Sequence, residues 1–333
     1  MSADGVPAAA RRLATFPALL VLTPVAGALF ALCLVLTGPV SLLRRGGWRP
    51  VRLSGFLLLY LLAELVGLGL AALDLLGPRA GRQARAYARL GSLLAFLCRA
   101  AVPVFGLRVE VTGPPPPATE GPGRPLLVLA RHAGPGDSFL LVHSLITHAG
   151  LRPRVVLKRA LRLDPCLDVL LGRVPHCYVP PDAAPHRTAG EIGELAADMG
   201  PGDALVLFPE GGNFTEHRRQ RAIRWLRRHG RAREAAKTER LRHVLPPRTD
   251  GTLAALASAS GADVVFVAHT GLDDMVSVRT LYRGVPLRRT VRATWWRVTA
   301  EEVPAGTEQR ADWLRAQWAR VDAWIDAWID AQP

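Results

Sequence analysis

Residues 13 to 43 contain no charged side chain, a run of 31 residues. About 20 apolar residues suffice to span the hydrocarbon core of a bilayer. The run is also too long for a cleavable signal peptide, whose apolar core is about 7 to 15 residues. The chain is therefore expected to be anchored in a membrane, with whatever follows folding beside a lipid surface. A second apolar run, 53 to 78, is interrupted by Glu64 and Asp74. Ionisable groups in lipid are costly unless sheltered or near the surface. The segment after it sets Arg79, Arg82, Arg85 and Arg89 along one helical side and Tyr87, Leu90, Leu94 and Leu97 along another, an interfacial amphipathic pattern. Arg44, Arg45, Arg49 and Arg52 make the other flank of the second run basic as well. Basic flanks stay cytoplasmic, so the expectation is one span at 13 to 43 followed by a hairpin dipping into the cytoplasmic leaflet. Two full spans are the alternative. The organisation read from this is 1–52, a transmembrane segment with a basic loop; 53–105, a membrane-associated two-helix hairpin; and 106–333, an α/β domain. The localisation it implies is the cytoplasmic membrane, with the α/β domain facing the cytoplasm.

The formal net charge of +14 would suit nucleic acid, but of 42 basic residues only Lys158 and Lys237 are lysine, a bias of the kind a GC-rich genome produces. No aromatic platform or nucleic-acid reading motif accompanies the charge, so nucleic acid is not an expected partner. A basic protein beside a membrane fits anionic lipid or phosphate-bearing substrates instead. Cys33, Cys98, Cys166 and Cys177 have no metal-ligand or disulfide-framework spacing and read as small buried hydrophobes of a reducing compartment.

Beyond Leu107 short apolar runs alternate with helical stretches. Residues 107–112, 126–130, 154–158, 204–208 and 262–268 read as strands, several of them continuously apolar as in a sheet buried on both faces. Helices are expected over 137–148, 187–199, 215–238 and 250–260. This alternation predicts an α/β fold with a sheet flanked by helices, and the proline- and glycine-rich 113–125 reads as a connector. A C-terminal helix carries Leu314, Trp318, Val321, Ile325 and Trp328 at helical spacing. Such a stripe fits core packing, with docking of its tryptophans at the bilayer interface as the alternative.

The chemistry concentrates in Leu129-Ala-Arg131-His132-Ala-Gly-Pro-Gly-Asp137-Ser138, where a strand runs into a tight turn and then a helix. Asp137 is placed at the helix N-cap. This geometry lets His132 and Asp137 meet, so that the histidine serves as a base near neutral pH while the carboxylate fixes its tautomer. Spacing alone identifies nothing, because His269 and Asp274 share it. The first pair differs in being followed by a second strand-end turn, Phe208-Pro209-Glu210-Gly211-Gly212-Asn213, whose glycines offer backbone N–H groups to a phosphate. His269 is accordingly expected to lie outside the chemistry.

In this ordered set the chain resembles the glycerolipid acyltransferase superfamily, of the lysophosphatidic acid acyltransferase type. His132 and Asp137 match H-x-x-x-x-D, Val156 to Leu161 through Pro165 match a lysine-containing block, and Phe208 to Gly211 match F-P-E-G. The resemblance covers roughly residues 80 to 300. His243-Val-Leu-Pro-Pro-Arg-Thr249 looks like a branch that includes lysophospholipid acyltransferases. The resemblance implies that His132 deprotonates the glycerol hydroxyl of a lysophospholipid, most readily lysophosphatidic acid, which attacks the thioester of acyl-CoA or acyl carrier protein. No cofactor and no acyl-enzyme are required, and membrane lipids are substrate and product. The expected substrate contacts are Arg131, Lys158 of the second block, the turn Phe208 to Asn213, and Arg218 on the helix that opens after it. One departure stands out: where the family commonly has an arginine after F-P-E-G and a small residue, this chain has Asn213.

Three other readings stay open at this point. Gly136-Asp137-Ser138 resembles the serine block of G-D-S lipases, but no aspartate here has histidine three residues later. His132, Asp137 and Glu210 could form a mixed nitrogen and oxygen metal site. A membrane protein could also bind lipid phosphate on this fold without turnover.

Overall fold

The computed structural model describes residues 7–330 except 45, 114–122, 181–184, 260 and 288. The 113–125 connector thus lies largely outside the described residues. Three long helices come first: α1 (Ala8–Leu43), α2 (Arg49–Leu73) and α3 (Arg82–Phe105). There follow β1 (Arg108–Thr112), β2 (Leu126–Ala130), α4 (Pro135–Thr147), β3 (Arg152–Lys158), α5 (Pro165–Leu171), β4 (His176–Val179) and α6 (Pro185–Ala197). The remainder is β5 (Asp203–Leu207), α7 (Glu216–Arg228), α8 (Ala232–Glu239), α9 (Thr249–Ser258), β6 (Asp263–Thr270), α10 (Val278–Gly284), β7 (Thr290–Val298) and α11 (Thr307–Asp330). The fold is mixed α/β, with a seven-stranded sheet in the order β1-β7-β6-β2-β5-β3-β4 flanked by helices. The chain divides into two compact units, Met1–Arg108 with Leu157–Tyr178 and Arg279–Arg289, and Val109–Val156 with Val179–Val278 and Thr290–Pro333. Two later segments therefore group with the N-terminal helices, which the sequence treated as a consecutive block.

In the first unit each of α1, α2 and α3 is long and apolar enough to cross a membrane. Length and composition thus admit full spans within 53–105 as well as the hairpin expected from the basic flanks. The charges that interrupt these helices are sheltered. Buried Glu64 accepts the Cys166 N–H at 2.9 Å at the start of α5, and Asp164 accepts the Leu167 N–H at 2.9 Å and the Tyr60 hydroxyl. Asp74 meets Arg89 at 3.2 Å, and Asp168 meets Arg12 at 2.7 Å and Arg11 at 2.5 Å.

In the second unit β2 is parallel to both neighbours, with Val128 beside Val206 of β5 and Val265 of β6. Each residue of these three strands is buried, the consequence of continuous apolar runs covered on both faces. β7 closes on β6 antiparallel, so the sheet is mixed. Leu127, Leu129, Leu205, Phe266, Leu314, Trp318 and Ile325 share one core. Leu314, Trp318, Val321 and Ile325 are fully buried, and the Trp318 indole N–H donates to Leu245 O at 3.1 Å. That stripe is core packing. The expected helix 215–238 breaks between α7 and α8 at Gly230, whose φ of 71° an L side chain rarely adopts.

Candidate active site

His132 follows the end of β2 by two residues, and α4 begins three residues further on. Its Nδ1 lies 3.0 Å from Asp137 Oδ1 and 3.1 Å from Oδ2. The carboxylate can only accept, so Nδ1 carries the proton and Nε2 the lone pair. Asp137 is not the N-cap expected of it. Gly134 takes that position, and Asp137 in the first turn reaches back to accept Ala133 N–H at 2.7 Å and Gly134 N–H at 3.0 Å. Burial drives its carboxyl upward, but the hydrogen bond from His132, nearby His269 and the Gly134 N–H outweigh it, leaving Asp137 below the usual carboxylate range. The Ser138 hydroxyl donates to Asp137 Oδ1 at 3.1 Å. It supports the carboxylate instead of meeting a histidine, as a lipase nucleophile must.

The second turn is clamped to this histidine through its backbone. His132 N–H donates to Glu210 Oε1 at 2.9 Å, and His132 C=O accepts from Phe214 N–H at 2.9 Å. The rings of His132 and Phe208 are 4.7 Å apart. Glu210 was expected among the substrate contacts, yet it is buried and its second oxygen accepts Leu245 N–H at 2.7 Å. It joins three chain segments through its two oxygens. Burial pushes its carboxyl up to about 8, against the N–H groups of Leu245 and His132 and the charge of Arg131. Pro209 is buried too, its carbonyl accepting Arg248 N–H at 2.8 Å.

Arg131, another expected substrate contact, is also turned inward. Its guanidinium donates to His243 O at 2.8 Å, His269 O at 2.9 Å and Asp273 Oδ1 at 2.5 Å, which leaves it a buried strut. Lys158 is exposed at the end of β3 and belongs to the first unit. Gly211, Gly212, Asn213 and Arg218 do come together. Arg218 Nη1 donates to Asn213 O at 2.9 Å and would lie 2.8 Å from a Cβ at Gly212. A Cβ at Gly211 would meet Arg248 Nε at 2.8 Å, and Gly211 has a φ of 67°. Glycine is thus required at 211 both by conformation and by the guanidinium lying over it. Arg219 is not available here, since it donates to Leu241 O and Glu239 O.

Two residues of this neighbourhood were missed from sequence. Arg248 stands in the phrase His243 to Thr249, read only as a branch marker. His269 has its Nε2 2.9 Å from Arg131 O and 3.6 Å from Asp137 Oδ2, so it stands beside the His132–Asp137 pair from which the sequence set it apart. A signal was present: parallel strands β2 and β6 both run out on a histidine. The ladder ends with Ala130 beside Val267, so each histidine lies two residues beyond the last paired position.

No family model and no curated protein matches this sequence. Among solved structures the chain is similar to the 1-acyl-sn-glycerophosphate (LPA) acyltransferase PlsC from Thermotoga maritima, at 14% identity over 84% of this chain and 99% of that one, with a TM-score of 0.48.

Proposed function

We propose that the protein is a membrane-attached O-acyltransferase that moves a fatty acyl group from acyl-CoA or acyl carrier protein to the free glycerol hydroxyl of a lysophospholipid. The observation that carries this reading is the His132–Asp137 pair, with Nε2 unprotonated, fixed by backbone bonds against a glycine turn that two guanidinium groups overlie. In the reaction His132 Nε2 takes the hydroxyl proton as the glycerol oxygen attacks the thioester carbonyl carbon. Asp137 stabilises the imidazolium so formed. The tetrahedral intermediate collapses, the C–S bond breaks, and the departing thiolate takes the proton back from His132. One base suffices and no residue is acylated.

The acceptor is read as phosphate-bearing. Arg218 sits in the first turn of α7, where the helix dipole disfavours a cation, and Arg248 lies over Gly211 of the same turn. An anion between two guanidinium groups and the backbone N–H groups relieves that repulsion through charge-assisted hydrogen bonds. Arg218 and Arg248 then do together what an arginine at position 213 does elsewhere in the superfamily the sequence resembles. Anchoring through the first unit fits a substrate and product that live in the bilayer, with the second unit on the cytoplasmic face.

The test is purified full-length protein with a panel of lysolipids and labelled acyl-CoA or acyl carrier protein. Transfer to lysophosphatidic acid that vanishes in His132→Ala, and survives a chelator, is the expected result. Lipid binding without turnover would replace this reading with that of a lipid-phosphate-binding protein.

A further inference from the structure

His269 is buried at the end of β6 and faces two acceptors through one nitrogen, Arg131 O at 2.9 Å and Asp137 Oδ2 at 3.6 Å. Its other nitrogen, Nδ1, is buried and meets no hydrogen-bond partner among the described residues. That asymmetry sets the ring's state. The proton must sit on Nε2, where both acceptors are, and a second proton on Nδ1 would have nothing to bond. The charged groups around the ring are Asp137 from α4, Arg131 from the end of β2 and Asp273 from the turn after β6. Burial holds the ring below the usual histidine range, and Arg131 adds to that against the opposing charges of Asp137 and Asp273. The Nε2–H therefore donates to the Arg131 carbonyl, with its positive end 3.6 Å from the Asp137 oxygen that also accepts the Ala133 and Gly134 N–H groups.

We propose that His269 is a positioning residue: its neutral Nε2–H, fixed on the Arg131 carbonyl, presents a positive dipole to Asp137 Oδ2, which favours the orientation that pairs Asp137 with His132 and moderates the negative charge His132 feels. The inference rests on the acyltransferase reading only for its kinetic consequence. The geometry makes a second prediction that needs no substrate. Without the His269 dipole Asp137 presents a fuller charge to His132, so the imidazolium form of His132 persists to higher pH.

The experiment compares full-length wild type with His269→Leu, His269→Phe and His269→Gln. Two quantities are read: kcat and KM for acyl transfer, and the pH midpoint for diethyl pyrocarbonate labelling of His132, followed by mass spectrometry of its peptide. Glutamine can set an amide N–H near the place of Nε2, whereas leucine and phenylalanine fill the space without one. The apolar variants are expected to lose kcat on the order of tenfold, as when a partner orienting a site residue is removed, with KM unchanged. Their labelling midpoint should rise, and glutamine should recover most of both effects. The proposal is overturned if the apolar variants keep the wild-type kcat and midpoint, if glutamine is as defective as they are, or if both apolar variants fail to fold, since His269 would then serve the fold and not Asp137. A wild type without acyl transfer would remove the proposed function while the labelling midpoints still decide the role of His269.

Discussion

In the first unit the carboxylates of α2 and of the start of α5 end on arginines, a tyrosine and backbone N–H groups: Glu64 on Cys166, Asp164 on Tyr60 and Leu167, Asp168 on Arg11 and Arg12. The ends of β2 and β5 in the second unit also bury ionisable groups, and Arg131 and Glu210 there are as fully engaged. Yet three groups beside them have chemistry to spare. His132 commits Nδ1 to Asp137 and keeps the lone pair of Nε2, and Arg218 and Arg248 lie over a glycine turn with no carboxylate on them among the described bonds. Buried charge that is completely paired holds a fold together, because breaking such a pair strands a desolvated ion. Charge left partly unpaired against rigid backbone is what a reaction can use.

The largest effect should come from the uncommitted histidine. His132→Ala removes a general base worth roughly 10² to 10⁴ in rate while touching none of the backbone bonds that join it to Glu210 and Phe214. Activity should vanish with the fold retained and a modest drop in melting temperature, since Asp137 loses His132 but keeps the Ala133 and Gly134 N–H groups and the Ser138 hydroxyl. Asp137→Ala should be as inactive but also less stable, because the Ala133 and Gly134 N–H groups lose their acceptor. Full turnover by the His132 variant would erase the distinction between spent and unspent charge.

Glu210 should behave in the opposite sense, with stability affected ahead of chemistry. In Glu210→Gln one of the N–H donors of His132 and Leu245 faces an amide N–H in place of an oxygen, and a buried donor left unpaired costs about 1 to 3 kcal/mol. The wild-type carboxyl is raised from 4.5 to about 8 in the folded protein, so the native state binds its proton more tightly than the unfolded chain does. Its contribution to stability is therefore complete below the unfolded value and is lost as pH climbs through about 8. Thermal unfolding between pH 5 and pH 8.5 should show that decline in the wild type and a flatter profile in the Gln variant.

Much of this contrast could be read without coordinates. Strands β2, β5 and β6 announced themselves as unbroken apolar runs, and His132, Asp137 and the Phe208 turn are local in sequence, each a strand end followed by glycine. What stayed hidden comes from far along the chain. His269 reaches Asp137 only because β6 lies parallel to β2 in one register, and Arg248 reaches Gly211 only because Glu210 and Pro209 bind the backbone of 245 and 248. β7 escaped notice because Arg292, Thr294 and Arg297 interleave its apolar residues. No local pattern encodes which distant segment a buried carboxylate will recruit.

A smaller effect is expected from the arginines over the glycine turn. Losing one charge-assisted bond to a phosphate costs about 1.5 to 3 kcal/mol, so Arg248→Ala and Arg218→Ala should each lower kcat/KM for lysophosphatidic acid by roughly 10- to 100-fold. Most of that loss should appear in KM, since the contact is made in the ground state as well. Asn213→Arg should recover part of the loss in either background. If kcat/KM for a phosphate-free acceptor falls equally, the two arginines support the turn and do not grip the acceptor.

The smallest effect concerns attachment, and it returns to the fully paired unit. Removing residues 1 to 48 deletes α1, but α2 and α3 are each long and apolar enough to cross a bilayer, so the shortened protein should still sediment with membranes and resist extraction by salt. The cost should appear as stability. Asp168 is buried and loses both Arg11 and Arg12, and removing one side of a buried ion pair is worse than removing both, by up to about 3 to 5 kcal/mol when no other partner relaxes onto it. Adding Asp168→Asn to the truncation should therefore raise the melting temperature, whereas the same substitution in the full-length chain should lower it. That reversal of sign, with attachment unchanged in all four proteins, is the expected mark of charge whose work is structural. A soluble truncated protein would mean that α1 alone holds the chain to the bilayer, and a truncated protein indifferent to Asp168→Asn would mean that the pair was never desolvated.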